Sequence, residues 1–454
     1  MTHRFDPVIL REYDVRGTVG VNLFEADAYA VGRSFATRVR RAGGRRVVVG
    51  YDGRTHSPML EAALVDGLVA AGVDVVRIGV GPSPMLYFAE ATLEADGGIQ
   101  VTGSHNPRED NGFKLVLQRD SFFGIDIVDL ARLAEAGDWS EGAGTIADAD
   151  VREPYVDRLL AGYAGGEYRI GWDAGNGAAG EIVRALTARL PGEHHLLFCD
   201  IDGTFPHHHP DPTVEANLAH LKALVADKQL DFGLAFDGDG DRIGAVDAHG
   251  RVLFGDEILS ILVQPLLAEL PGATIVADVK SSDALFERIA ALGGEALMWK
   301  TGHSEMKSKM KEVGAPLAGE LSGHIFFGHE YYGFDDALYA AVRLIRAVHL
   351  AGRSLTEQRA AMPQRCTSPE WRVSVAEERK TAVVEEVAAR LAVQGASVDT
   401  TDGVRVATAQ GWWLLRASNT QAALTLRAES RDEEGLAALV RQIDDQLARS
   451  GVQR

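Results

Sequence analysis

Three aspartates separated by single glycines, Asp237-Gly238-Asp239-Gly240-Asp241, follow the apolar run FGLAF and lead into Arg242. Alternate side chains of an extended loop can converge on one hard cation, and the glycines leave the backbone free to wrap around it. Carboxylate ligands select Mg²⁺ or Ca²⁺ over zinc. The loop is no EF-hand, because residue 248, where that loop would place its glutamate, is Ala. Three loop ligands would leave coordination positions for a phosphate oxygen or for a hydroxyl such as that of Ser104, with Arg242 as a phosphate clamp. The plainer alternative is a solvated acidic turn.

Three further loops carry chemistry of their own. Thr102-Gly103-Ser104-His105-Asn106-Pro107 stands where a strand should end, and ligands of open α/β sheets gather at such ends. Ser104 there is a candidate nucleophile with His105 as its polar neighbour, or the segment is an ordinary Ser-Asn-Pro turn. In Gly319-Glu320-Leu321-Ser322-Gly323-His324, Glu320 and Ser322 alternate and so face the same side. They suit adjacent sugar hydroxyls, although a capping turn fits equally. Arg416-Ala417-Ser418-Asn419-Thr420, with Arg427 beyond it, groups hydroxyl, amide and guanidinium donors that suit a phosphate, or forms a polar β-turn.

Two other motifs invite readings of their own. Gly175-Asn176-Gly177-Ala178-Ala179-Gly180 matches the dinucleotide fingerprint, with Asp200 downstream; the alternative is a tight, small-residue strand-to-helix turn. Pro206-His207-His208-His209-Pro210 lacks metal-ligand spacing and reads as a structural loop.

The elements that must position these loops follow from periodicity. Strands are predicted over 45–50, 75–80 and 98–102, with helices over 57–71 and 85–93 between them. The alternation restarts at 168–173, with a helix over 181–190 and a strand over 231–236, and again at 274–279, with strands over 296–299 and 316–318. This predicts three consecutive α/β domains with mixed, largely parallel sheets, over 1–150, 151–250 and 251–365. The remainder, 366–454, reads as a small α+β domain: strands near 371–375, 404–407, 412–416 and 423–427, and helices over 376–392 and 433–448.

The 454 residues carry 46 basic and 65 acidic side chains, a net charge of −19 that argues against a general nucleic-acid binder while leaving room for a small anion in a basic cleft. Two distant cysteines, Cys199 and Cys366, exclude a disulfide framework. No apolar run approaches membrane-span length; the longest, 258–270, is broken by Pro265. The first residues lack a signal-peptide core, so a cytoplasmic protein is expected.

Taken in order, these loops resemble the α-D-phosphohexomutase family, and most closely its bacterial phosphomannomutase/phosphoglucomutase branch. The resemblance spans essentially the whole chain. It includes Tyr13-Asp14-Val15-Arg16-Gly17, the Ser104 loop, Asn111-Gly112-Phe113-Lys114, the aspartate loop, Asp278-Val279-Lys280, Thr301-Gly302-His303, the Glu320 loop, Gly333-Phe334-Asp335-Asp336 and the Arg416 loop. It implies four domains in a heart-shaped arrangement, each lending one loop to a central cleft. It further implies that Ser104 carries a phosphoryl group, held with Mg²⁺ by Asp237, Asp239 and Asp241. Glu320 and Ser322 would grip the sugar 3- and 4-hydroxyls, with His324 of the same loop as a further substrate-binding residue. Arg416, Ser418, Asn419 and Thr420, with Arg427, would hold the phosphate that is not reacting. Tyr13, Arg16, Lys280 and His303 would be further substrate contacts, and Lys114 and Arg242 would line the transfer site.

The implied reaction interconverts hexose 1-phosphate and hexose 6-phosphate through a 1,6-bisphosphate, with glucose 1,6-bisphosphate as activator and Lys114, His105 and His303 as candidate acid–base groups. A Mg²⁺-dependent sugar phosphatase and a non-catalytic sugar-phosphate sensor are the alternatives. Neither the choice between mannose and glucose nor an oligomeric state is legible, and nothing requires a partner chain or membrane. Two departures stand out. Gln421-Ala422 replaces a small or acidic residue followed by proline, which leaves the loop's exit less rigid. Leu321 replaces the usual methionine or glutamine; without the glutamine, and with Thr102-Gly103 ahead of the serine, a phosphoglucosamine mutase fits less well.

Overall fold

The structure, a computed structural model, describes residues 2–419 and 422–454. Four sheets follow one another along the chain. The first has at its centre Arg46–Tyr51, parallel to both Asp74–Val80 and Gly97–Val101. Val47, Val48 and Val49 are all fully buried, because helices cover both faces of a parallel sheet and leave no side for polar residues. After Gly97–Val101 the chain turns back as Asp110–Leu117, an antiparallel strand not foreseen from the sequence. It sets Lys114 opposite Gln100, and the Ser104 loop is the connection between the two strands.

The second sheet runs Val252–Leu253, Ile243–Asp247, Phe232–Phe236, Tyr168–Asp173, Gly192–Leu197; the aspartate loop joins Phe232–Phe236 to its antiparallel neighbour Ile243–Asp247. The third runs Glu295–Trp299, Thr274–Asp278, Leu317–Gly319, Ile325–Phe327, and the Glu320 loop again joins an antiparallel pair. Each of these sheets therefore has parallel strands and an antiparallel edge, and the chemistry-bearing loop sits at that edge. The fourth is antiparallel throughout, with Gly411–Ala417 and Ala423–Ser430 flanking the Arg416 loop and the helices Glu377–Val393 and Glu433–Arg449 packed on it.

The apolar run at 258–270 lies almost wholly within one helix. Pro265 does not end the element: the helix Gly255–Glu269 runs through it, its apolar residues buried between the second and third sheets. No described helix is long and apolar enough to cross a membrane.

One apolar core runs through the first three sheets, from Val48 and Met85 through Trp172 and Phe232 to Ile275 and Leu338, while the other face of the first sheet has a separate core around Val47, Val49 and Phe35. The fourth sheet has a core of its own and meets the rest through a small contact of Trp412 and Leu414 with Val279. Around that contact the junction is polar. Arg405 reaches Asp283 at 2.9 Å and the Ser281 carbonyl at 3.2 Å while stacking over Trp412, and Glu429 accepts from Asp283 N.

Candidate active site

Ser104 is 2% exposed and has φ +49°, in the left-handed region that a non-glycine residue enters only at a cost. Arg54 holds it there. This buried guanidinium donates to the carbonyls of Ser104 (2.8 Å), Asn106 (2.7 Å), Asp110 (2.9 Å) and Pro107, and pairs with Asp52 at 3.2 Å. Asp52 in turn accepts from Thr102 Oγ1 and Gly103 N. A Cβ at Gly103 would lie 2.4 Å from the Arg54 guanidinium, so only glycine permits the clamp.

The resulting hydroxyl donates to Asp237 Oδ2 at 3.1 Å and lies 3.2 Å from His105 Nδ1. Burial, then the Arg242 and Arg16 charges, hold His105 well below the ordinary histidine range, so it is neutral. A Cβ at Gly238 would come within 2.3 Å of the Ser104 carbonyl, which is why the aspartate loop must have glycine where it meets the serine loop.

Asp237, Asp239 and Asp241 are completely buried, with carboxylate oxygens within 4.8 Å of one another. Lys114 Nζ bonds Asp239 Oδ2 at 2.7 Å and also Asp241 Oδ2. Burial opposes the Lys114 charge, but those two carboxylates outweigh it and hold the amine well above its ordinary value. Lys114 is therefore the cation that these two carboxylates share. One lysine does not satisfy three carboxylates. Asp239 Oδ1 and Asp241 Oδ1 have no hydrogen-bond partner, and burial together with its two neighbours pushes Asp237 well above the carboxylate range. A buried set of oxygens short of positive charge fits a hard divalent cation.

The Glu320 loop meets this cluster through His324, whose ring lies 3.3 Å from Asp241 and 2.7 Å from Glu320. Burial opposes its charge, yet the two carboxylates push it up to about 9. The charged ring donates from Nδ1 to Glu320 and turns Nε2 towards Asp241 Oδ1 without closing a hydrogen bond to it; Arg242 Nε, 3.2 Å from Nε2, is then a neighbour and not a donor to the ring. Glu320 also accepts from Gly302 N at 2.6 Å, and Ser322 lies half-buried beside it.

Arg416 is anchored by Nε to Asp402 at 2.9 Å, and Asp402 also accepts from Thr301 N. Its Nη2 is buried without a partner. Ser418 closes the loop through N to the Ala423 carbonyl while Lys380 bonds its own carbonyl, and Asn419 donates to Tyr13 Oη. Tyr13 Oη donates to the Thr301 carbonyl at 2.8 Å, so one phenol joins three separate stretches of chain. Arg16 bonds Asn106 and Asp14. Lys280 pairs with Glu370 at 3.2 Å. Thr420 lies outside the described residues. Arg427 takes a place other than the loop: its Nη1 donates to the Lys280 carbonyl at 2.8 Å, at the junction with the third sheet.

The glycine-rich turn at 175–180 backs the aspartate loop, Ala178 N donating to the Gly238 carbonyl at 2.9 Å, while Asp200 is paired with Arg184. His207 stacks on Phe198 and His208 bonds Asp173, so the histidine run is structural. Arg54, Asp402 and Asp335 (0% exposed, 3.6 Å from His303 Nδ1) were not singled out from the sequence. Of these, Asp335 stood inside a quoted motif; Arg54 and Asp402 act on partners too far along the chain to be paired by eye.

Models of the phosphoglucomutase/phosphomannomutase family match in order: α/β/α domain I at residues 7–129, domain II at 153–250, domain III at 254–366 and the C-terminal domain at 370–446. The phosphomannomutase/phosphoglucomutase of Pseudomonas putida is 40% identical over 429 residues, 94% of this chain and 93% of its own. The phosphoglucomutase of Neisseria gonorrhoeae is 39% identical, with 93% of each covered. A crystal structure of a phosphoglucomutase/phosphomannomutase family protein from Burkholderia thailandensis superposes with a TM-score of 0.93 at 38% identity, over 98% of both chains. With loops of the first three sheets meeting at one buried serine and its aspartates, and with relatives of this similarity along nearly its full length, the chain belongs to the phosphoglucomutase/phosphomannomutase family.

Proposed function

We propose that the protein interconverts hexose 1-phosphate and hexose 6-phosphate, of glucose, mannose or both, through a phosphoryl group carried on Ser104. The four units, 1–150, 151–250, 251–365 and 366–454, would each lend one loop to the cleft. The observation that carries this reading is a pair of separate anion sites: Ser104 among the aspartates and Lys114, and the buried free Nη2 of Arg416. A mutase must hold two phosphates at once, whereas a simple hydrolase needs one.

In the first half, the P–O bond to Ser104 Oγ breaks as the free sugar hydroxyl takes the phosphoryl group and gives up its proton, leaving a hexose 1,6-bisphosphate. The bisphosphate turns end for end, and Ser104 Oγ attacks the other phosphate, releasing the isomeric monophosphate. Lys114 and Arg242 offset charge on the transferring oxygens, the main demand of phosphoryl transfer. Glu320 and Ser322 would take the 3- and 4-hydroxyls in either orientation, which leaves C2 unread. Arg416, Ser418, Asn419 and Thr420 would hold the idle phosphate, with Tyr13, Arg16 and Lys280 around it. Asp237, Asp239 and Asp241 would hold Mg²⁺, which supplies positive charge to the phosphoryl oxygens. Glucose 1,6-bisphosphate is the expected activator, because it can load an empty Ser104.

A ³¹P NMR time course with Mg²⁺ and a trace of glucose 1,6-bisphosphate tests this, with mannose 1-phosphate and glucose 1-phosphate in separate tubes. The 6-phosphate is expected in at least one tube. Stoichiometric inorganic phosphate instead would indicate a phosphatase, and an unchanged spectrum in both tubes would overturn the assignment to these sugars.

A further inference from the structure

We infer that Asp335 is a positioning residue for His303, fixing the imidazole as the Nδ1–H tautomer so that Nε2 offers a lone pair to the sugar phosphate. The inference rests on the mutase reading for its role in turnover, but not for the tautomer itself.

Asp335 is completely buried. Its Oδ1 accepts from Lys307 Nζ at 3.0 Å, whereas its Oδ2 has no hydrogen-bond partner. His303 Nδ1 is also buried without a partner, and these two orphaned atoms face each other across 3.6 Å. That is beyond a formed hydrogen bond and within a small rotation of the ring. His303 opens the helix His303–Val313, and Lys307 stands four residues on, so one helix face presents both side chains to one carboxylate. Lys307, itself over the Tyr87 ring, anchors one oxygen and leaves the other for the imidazole.

Burial, with the Lys307 and Lys114 charges, holds His303 well below the ordinary histidine range, so it carries a single N–H. Only one of its nitrogens has a carboxylate acceptor, and the proton belongs there. Since Nδ1 is sealed off, the 12% of the side chain that remains exposed lies elsewhere on the ring, which has the Tyr13 and His324 rings as neighbours at 5.9 and 5.7 Å. This gives the cleft a neutral acceptor set among the cations Lys114, Arg242, Lys280 and Arg416 and the charged His324, apart from the His105 beside Ser104. A hydroxyl about to receive or release a phosphoryl group needs such an acceptor for its proton, and a freely flipping imidazole would present one only part of the time.

The test uses the full chain with Mg²⁺ and ¹⁵N-labelled histidine. Multiple-bond ¹⁵N–¹H correlation spectra, with His303 assigned by its loss in His303→Gln, should show protonation at Nδ1 and a bare Nε2. Protonation at Nε2 would overturn the inference whatever the enzyme does, so failure of the mutase reading is seen separately, in the wild-type turnover assay. In that assay Asp335→Asn is expected to lower kcat more than tenfold with KM within about twofold. Asp335→Asn combined with His303→Gln should be no slower than His303→Gln alone. Multiplying losses, or a change confined to KM, would also overturn it. If Asp335→Asn does not fold, the wild-type tautomer decides alone.

Discussion

Ser104 combines three properties that seldom meet in one side chain: near-complete burial, a left-handed backbone, and a hydroxyl bonded to a carboxylate. An ordinary buried serine would bond a nearby main-chain group, and strain in a native structure is kept where neighbours enforce it. Here Arg54 enforces it through four carbonyls. Replacing Ser104 with Ala should leave the fold unchanged and abolish mutase turnover, checked by ³¹P NMR beside the wild type; full activity in this variant would sink the phosphoserine role. Arg416 calls for a different readout. Its guanidinium is already oriented by Asp402, with Nη2 unused. Losing a charge-assisted contact to a phosphate costs about 2 kcal/mol, so Arg416→Ala should raise KM roughly thirtyfold while changing kcat less. Initial-rate kinetics over a wide substrate range separate the two.

The elements explain what could be read in advance. The serine, aspartate and glutamate loops each lie within about six consecutive residues, so their chemistry is visible as local spacing. The supports are not local. Arg54 and Ser104 are 50 positions apart, Asp402 and Thr301 are 101 apart, and Lys114 and Asp241 are 127 apart. Periodicity also missed Asp110–Leu117, because the strand is buried at almost every position and shows no alternation of apolar and polar residues to announce it. The fingerprint at 175–180 was misleading for a physical reason. Close approach of backbone to backbone needs the same glycines as close approach of backbone to pyrophosphate, and here the neighbour is the Gly238 carbonyl. Loop-to-loop contact of that kind makes a sharp prediction. Gly238→Ala drives a methyl into the Ser104 carbonyl, where no flexible side chain can yield, and should cost about 1–3 kcal/mol of stability along with most of kcat. Thermal unfolding measured with kinetics would reveal both, and a variant of wild-type stability and rate would refute the contact.

Across the whole molecule, titration outside the cleft should leave a mark on stability. Burial pushes the carboxyls of Glu90 and Glu257 up to about 7 and that of Asp336 up to about 6. A carboxyl raised in the folded state binds more protons there than in the unfolded chain, so unfolding becomes easier as pH rises through the window from about 4.5 to 7. The melting temperature should therefore fall from pH 5 to pH 8. Glu90→Gln, which preserves an acceptor for Arg119 N, should gain about 1–2 °C at pH 8 and nothing at pH 5. Equal gains at both values would remove Glu90 from the account.

The phenol of Tyr13 joins Asn419 of the Arg416 loop to the Thr301 carbonyl of the third unit, while the C-terminal sheet otherwise rests on a small apolar contact and a polar junction. In the proposed reaction a bisphosphate turning in the cleft would need that junction to yield, and each bisphosphate that escaped would leave Ser104 bare and the enzyme inactive until it was reloaded. The strength of this one latch then sets processivity: how many sugars are converted for each loading of the serine. Tyr13→Phe keeps the ring and loses the joint, and it should raise the concentration of glucose 1,6-bisphosphate needed for half-maximal rate several-fold. A titration of the activator against wild type measures that number directly, and an unchanged requirement would show that the bisphosphate is retained by other means.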